Sequence, residues 1–143
     1  GGASLSKTIL RSMIKDMPAE YKKNKKALKF FVSVNNEEDY RDSLTTRDTV
    51  IGDAALFQDA PVLYNGVPVT PIPVMPEDLD VGNNRTGAFL LDPKNIRVGF
   101  WRKVKFQTDE DIRAGVFYIV ATLRMGFVFE NEDAVVYCED LLP

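Results

Sequence analysis

Apolar residues open the chain at helical spacing. Leu5, Ile9, Leu10, Met13, Ile14 and Met17 recur three and four positions apart, opposite Lys7, Arg11 and Lys15, which predicts an amphipathic helix with one core-facing stripe. Ser4 is its expected cap, and Pro18 disfavours helical geometry at Met17 and so ends it there. The polar stretch 21–26 reads as a solvated turn. Beyond it the period changes to two: Leu28, Phe30 and Val32 alternate with Lys29, Phe31 and Ser33, as in a half-buried strand. A short helix is predicted next, capped by Asn35 or Asn36. Glu37, Glu38 and Asp39 suit its positive amino end, Arg41 and Arg47 lie toward the other end, and Tyr40 and Leu44 form its buried side.

Residues 48–59, with Gly52 and several small side chains, read as a loop with at most one helical turn. Asn65-Gly66 between Val62-Leu63-Tyr64 and Val67-Pro68-Val69 predicts a two-residue type I′ hairpin, in which both turn positions need positive φ. Pro68, Pro71 and Pro73 lack amide donors, so the outgoing strand is expected at a sheet edge or as a connector. Residues 77–87 read as a surface loop, and Ala88 to Leu91 as a short buried strand.

Two unusually long extended segments follow, residues 94–106 and 113–129, joined by an expected turn at Thr108-Asp109-Glu110-Asp111. Ordinary strands run five to six residues. A ribbon that outgrows its own core must find cover elsewhere, which is the requirement of an assembly protein. A last strand is expected at residues 134–138.

Composition narrows the chemistry. The 143 residues lack histidine, so the Ser-His-Asp and Cys-His nucleophile schemes are excluded. Cys138 is the only cysteine, which excludes an internal disulfide and a thiolate metal cage and fits a reducing compartment. The longest apolar run, Ala114 to Ala121, is too short for a membrane-spanning helix. Gly1-Gly2-Ala3-Ser4 looks like a tag remnant or a cut inside a larger protein, to be left out of fold reasoning. Charge is uneven: eight cations against two carboxylates give +6 through residue 30, and the rest carries −9 of the net −3. Opposed ends can steer nucleic acid or attract copies head to tail; the second fits a net acidic chain better.

The carboxylate clusters Glu37-Glu38-Asp39 and Asp109-Glu110-Asp111 have neither the separation of a hydrolytic pair nor the spacing of a calcium loop, and read as a helix amino end and a solvated turn. Lys22, Lys23, Lys25 and Lys26 are not interleaved with base-stacking aromatics, so a subunit contact suits them better than nucleic acid. Asn84-Arg85-Thr86 matches a glycosylation acceptor by chance, and no glycine-rich phosphate loop occurs. Trp101 beside Phe100 should place one ring toward the core and one outward, and an exposed ribbon aromatic marks a protein contact. Arg97, Arg102, Lys103 and Lys105 on the first arm, with Arg113 and Arg124 on the second, block indiscriminate edge pairing or select one neighbour.

Several stretches, in this order, resemble one family: Met13-Ile14-Lys15-Asp16-Met17-Pro18 with Tyr21 and Asn24; Leu28 to Ser33; Asp39-Tyr40-Arg41-Asp42 and Arg47; and Gly52 to Leu56. Gly66-Val67-Pro68-Val69 with residues 73–76, Leu90 to Asn95, and Asn131 to Val136 complete the set. Together they resemble the carboxy-terminal portion of the major capsid protein of tailed bacteriophages. The resemblance implies an axial domain over residues 1–95, peripheral-domain strands over 96–143, and a shell that packages double-stranded DNA. Family members carry an amino-terminal arm, an extended β-loop and a long spine helix before this region. None is visible here, so a fragment is expected. The crosslinking lysine of some relatives lies on that loop and transfers to no residue present.

The sequence therefore predicts an α+β fold: a mixed, largely antiparallel sheet flanked by two short helices, with a long C-terminal β-ribbon. The expected role is a capsid subunit, not an enzyme, without cofactor, metal or small-molecule substrate. Its partners would be other copies of itself and, at most non-specifically, the enclosed DNA, with no membrane. It would be located in the virion and assembled in the bacterial host cytoplasm. Lys22, Lys23, Lys25, Lys26, Arg97, Trp101, Arg102, Lys103 and Arg124 are the candidate subunit contacts. The alternatives are a carboxylate-based hydrolase and a DNA-binding module.

Overall fold

The computed structural model describes residues 2–45, 61–79 and 84–143. The loop expected at 48–59, Arg47 and the stretch Gly52 to Leu56 lie outside them. The chain divides into two compact units: a body of residues 1–93 and 131–143, and a ribbon of residues 94–130. Among the described residues, no helix is long and apolar enough to cross a membrane.

In the body, α1 runs Lys7–Asp16 and buries Leu10 and Met13, with Leu5 and Met17 buried at its flanks. The residue at its amino cap is Ser6, not Ser4, and its side chain makes no capping bond. Leu5 explains the shift, because an apolar residue that must reach the core holds the approach extended. Met17 is extended as Pro18 requires, with its N–H still bonded to the Met13 carbonyl at 3.3 Å. A single helical turn, α2 (Ala19–Lys22), occupies the start of the expected solvated turn.

The next strand, β1 (Lys29–Val32), buries Phe30 and Val32 as the alternation predicts. Helix α3 (Val34–Thr45) is capped by neither candidate asparagine. Ser33 Oγ accepts from the Asn36 backbone N–H at 3.3 Å and from Asn36 Nδ2 at 3.0 Å. Ser33 and Asn36 are both buried, so the cap is a core feature. Ser33→Ala removes the capping bond and strands a buried amide, and is expected to cost about 2 kcal/mol in denaturant unfolding.

Strands β2 (Leu63–Tyr64) and β3 (Val67–Pro71) flank the Asn65-Gly66 turn, whose φ values of 51° and 83° are the positive pair that type I′ needs. The expectation that β3 lies at an edge is overturned. With β4 (Thr86–Leu91) and β7 (Val135–Leu141), the sheet order is β2-β3-β1-β4-β7, so β3 is paired on both sides. The prolines are accommodated by register. Successive amides point to opposite edges; the Val69 N–H bonds Val62 toward β2, and the Ile72 N–H bonds Val32 toward β1. Pro71 thus faces β2 after β2 has ended, and Pro68 faces β1 just before that pairing begins at Phe30↔Val69. Among the described strand pairs of this sheet, β1–β3 is parallel and the other three are antiparallel, so the sheet is mixed and largely antiparallel, as predicted.

Phe30, Leu90 and Val69 share one row on one sheet face and form the core with α1 and Tyr40 of α3. The opposite face carries Phe31, Phe89 and Tyr137 in one row, with the rings of Phe89 and Tyr137 stacked at 4.5 Å. Among the described residues of the stretch 77–87, Thr86 Oγ1 donates to the Pro76 carbonyl at 2.9 Å and the Leu79 N–H to the Arg85 carbonyl at 2.9 Å. Ala3, in the stretch left out of fold reasoning, takes part in the fold. Ala3 bridges Leu141 in parallel, and its carbonyl accepts the Leu142 N–H at 3.2 Å. Residues 131–143, which the sequence grouped with the arms, are bonded into the body sheet through β7.

The ribbon consists of β5 (Ile96–Asp111) and β6 (Val116–Phe129), strands of sixteen and fourteen residues. Its reversal lies at residues 112–115, four later than expected. Asp111 Oδ1 accepts the amides of Arg113 at 2.9 Å and Ala114 at 3.2 Å, and Gly115 supplies a φ of 65°. The acidic triplet thus ends β5 and is not itself the turn.

Candidate functional site

The ribbon carries the most unusual surface of the molecule. From the register, Ile96, Val98, Phe100 and Phe106 of β5 share a face with Phe117, Ile119, Leu123, Met125, Phe127 and Phe129 of β6. All ten are between 38 and 69 % exposed. Thr108 and Glu110 join that face toward the tip, and the other face carries Arg97, Arg102, Lys105 and Arg124 together with the exposed Val116, Tyr118, Val120 and Val128, so both faces present apolar side chains.

Two bulges set which β5 residues share this face. One extra residue enters β5 between Phe100 and Arg102, and another between Arg102 and Lys105, while β6 runs without interruption. Each bulge shifts the alternation by one, so the pair returns Phe106 to the face of Phe100. Trp101 sits in the first bulge. The expectation that one of the Phe100–Trp101 rings is buried fails, since they are 65 and 84 % exposed. A shallow hollow lies between Trp101, Arg124 and the cross-strand pair Gly99–Gly126, where neither glycine supplies a side chain.

The bulge also sets Arg102 directly opposite Arg124. Like charges so placed repel, and the arrangement suits a carboxylate brought by another molecule. Arg97 is already engaged: its Nε donates to Glu130 Oε2 at 2.7 Å at the base of the ribbon. Lys103 is exposed within the same stretch of β5.

In the body, Lys23, Lys25 and Lys26 are exposed on the turn after α2. Lys22 differs, being half-buried with its Nζ donating to the Lys15 carbonyl at 2.7 Å, where it closes the end of α1. The acidic cluster at the start of α3 is partly engaged within the fold, with Glu37 held by Arg41 at 2.7 Å. Among the described residues, no group of three or more acidic or cysteine side chains could hold a metal ion.

Sequence reasoning missed a second polar cluster around a hollow lined by Leu79, Arg85, Thr86, Tyr137, Glu139 and Asp140. Arg85 Nε bonds Asp140 at 2.9 Å, and Gly2 packs so closely over Arg85 that a Cβ there would overlap the guanidinium. The signal lay in Leu79, Arg85 and Thr86 within the stretch 77–87 and in the last strand, whose proximity only the sheet order reveals. Beside it, burial and then the charge of Glu139 push the Cys138 thiol up, and burial raises Tyr137 likewise. A raised thiol stays protonated in the fold after it would ionise in the unfolded chain, so its contribution to stability is complete below the ordinary thiol range and is lost as pH rises through the folded value. Alkylation of Cys138 by iodoacetamide is accordingly expected to be slower than that of a free thiol at pH 8, with the difference narrowing in stronger alkali.

No protein-family model matches the chain. It is 32 % identical over 139 residues to a protein of Bacillus subtilis (strain 168) named "Putative prophage capsid protein YqbE". That match spans 94 % of this chain but 44 % of the relative, so the chain covers less than half of the relative's length. In structure it is similar to a chain of the satellite phage P4 procapsid with its size determination (Sid) protein, at a TM-score of 0.69 and 12 % identity. That likeness spans 94 % of this chain and 38 % of the other. It is also similar to the holo-SrpI encapsulin complex of Synechococcus elongatus PCC 7942, at a TM-score of 0.59 and 16 % identity, over 99 % of this chain and 51 % of that one. The fold of this chain is therefore phage capsid-like.

Proposed function

We propose that this chain is the carboxy-terminal portion of the shell-forming subunit of a bacteriophage or prophage capsid. It acts by self-assembly and catalyses no reaction. The observation that carries the reading is collinearity: one relative in sequence and two shell chains in structure align over nearly all of the chain. The exposed ribbon supports it, since a surface of that kind is built to be covered. The body would form the axial part around capsomer symmetry axes, and the ribbon the peripheral part. Lys22, Lys23, Lys25, Lys26, Arg97, Trp101, Arg102, Lys103 and Arg124 would lie at contacts between copies, with Arg102 and Arg124 receiving a neighbour's carboxylate. Enclosed DNA would be met only through non-specific charge, and the shell would form in the host cytoplasm and persist in the virion.

Expression of the chain within its complete reading frame, followed by electron microscopy of the purified product, tests this. Closed shells of uniform diameter are expected. A dispersed product under assembly conditions, or steeply salt-dependent binding of duplex DNA by the isolated chain, would overturn it.

A further inference from the structure

We propose that the hollow over Gly99 and Gly126 seats an extended protein segment carrying an apolar ring and, two positions along, a carboxylate. The ring lies on the two glycines beside Trp101, and the carboxylate lies between Arg102 and Arg124. This deepens the contact assigned above to Trp101, Arg102 and Arg124, and it rests on that reading.

The glycines come first. Gly99 and Gly126 stand directly opposite each other inside two long strands. Glycine weakens a strand there and often marks the close approach of another group. Nothing in the ribbon requires either one. A Cβ at Gly99 or Gly126 would meet no atom within 4 Å, and neither backbone has the positive φ of Gly66 and Gly115. The ribbon thus keeps this space open without using it, and Phe100, Trp101 and Met125 give it apolar walls.

Charge then fixes the chemistry of the occupant. Arg124 borders the hollow and lies directly opposite Arg102. Like charges so placed cost stability, and neither arginine forms an ion pair with a described residue. Two guanidinium forks side by side suit a carboxylate or a phosphate. The apolar hollow beside them selects a carboxylate that arrives with an apolar side chain, because a bare phosphate gains nothing from such walls. Spacing completes the match. Gly126 and Arg124 are two residues apart on one face of β6, about 7 Å, which is also the separation of side chains i and i+2 on one side of any extended segment. One strand laid along this face therefore places its ring on the glycines and its carboxylate on the arginines together.

Trp101 is the single tryptophan, is 84 % exposed and walls the hollow, so its emission reports filling. The 143-residue chain is titrated with the end-capped peptide Gly-Phe-Ser-Glu-Gly, and a saturable blue shift is expected. Replacing the peptide's glutamate by glutamine, or its phenylalanine by serine, should weaken binding at least tenfold. Arg124→Gln and Gly126→Val should do the same while leaving the circular dichroism spectrum and the denaturant midpoint no lower, since the first relieves repulsion and the second fills open space. An unshifted emission would overturn the seat, as would binding unchanged by both variants. Displacement of the peptide by inorganic phosphate or duplex DNA at equal concentration would overturn it too, by making this a general anion site. So would Trp101 already shifted and unresponsive in the complete protein at dilutions where it is monomeric, because its own chain would then fill the hollow. Shell formation is read separately: closed shells with an inert hollow would sink the seat and spare the capsid reading, whereas a responsive hollow in a protein that closes no shell would support the seat and sink that reading alone.

Discussion

Phe30→Ala is expected to lower the stability of the body by about 3–5 kcal/mol, the usual range for emptying a fully buried aromatic site. Phe30 stands on the central strand of the sheet, directly between Val69 of β3 and Leu90 of β4, and meets the edge of Tyr64 with ring centres 6.4 Å apart. Its neighbours are fixed on rigid strands on both sides, so the cavity has little means of collapsing. A domain of this size commands only about 5–15 kcal/mol in total, so the variant should melt far earlier in denaturant. Circular dichroism at the helical band is the proper readout. The helices belong to the body alone, whereas Trp101, the single tryptophan, stands exposed on the ribbon and would not report the event. A loss below about 1 kcal/mol would mean that the body is not held by this row.

Gly87→Ala should cost about 1–3 kcal/mol, a large penalty for one methyl group. An added Cβ would stand 2.5 Å from the ring of Tyr137, which lies across the glycine and stacks on Phe89. Tyr137 is part-exposed and can swing away, but only by abandoning that stack. The cause is open to a double-mutant cycle: in a Tyr137→Ala background the same Gly87→Ala change should cost much less, because the obstructing ring is gone. Equal penalties in both backgrounds would place the cost in the strand backbone and remove Tyr137 from the account.

Comparison of particular elements shows how far local chemistry reaches. The stripe of α1, the alternation of β1 and the Asn65-Gly66 turn were each legible because their signals are complete within a few residues: a period, or a pair that tolerates positive φ. The reversal of the ribbon was misplaced because Thr108 to Asp111 looks like a turn by composition, while Asp111 and Gly115 perform it four residues later. The cap of α3 was missed for a related reason. Two asparagines are good caps in isolation, but Ser33 lies where burial makes its hydroxyl the available acceptor. The candidate contacts divided in the same way: Lys22 was grouped with its exposed neighbours, yet its amine closes α1.

The sequence alone determined α1 and α3, the hairpin, the great length of the two arms and the exclusion of histidine and disulfide chemistry, because each depends on residue identity and short-range spacing. Tertiary structure decided that β3 lies inside the sheet despite its prolines, that β7 returns to the body, and that two bulges in β5 bring Phe106 back to the face of Phe100. Those outcomes depend on strand register between segments far apart in the chain. A shift of one residue moves every side chain to the opposite face, and no local pattern records which register is taken.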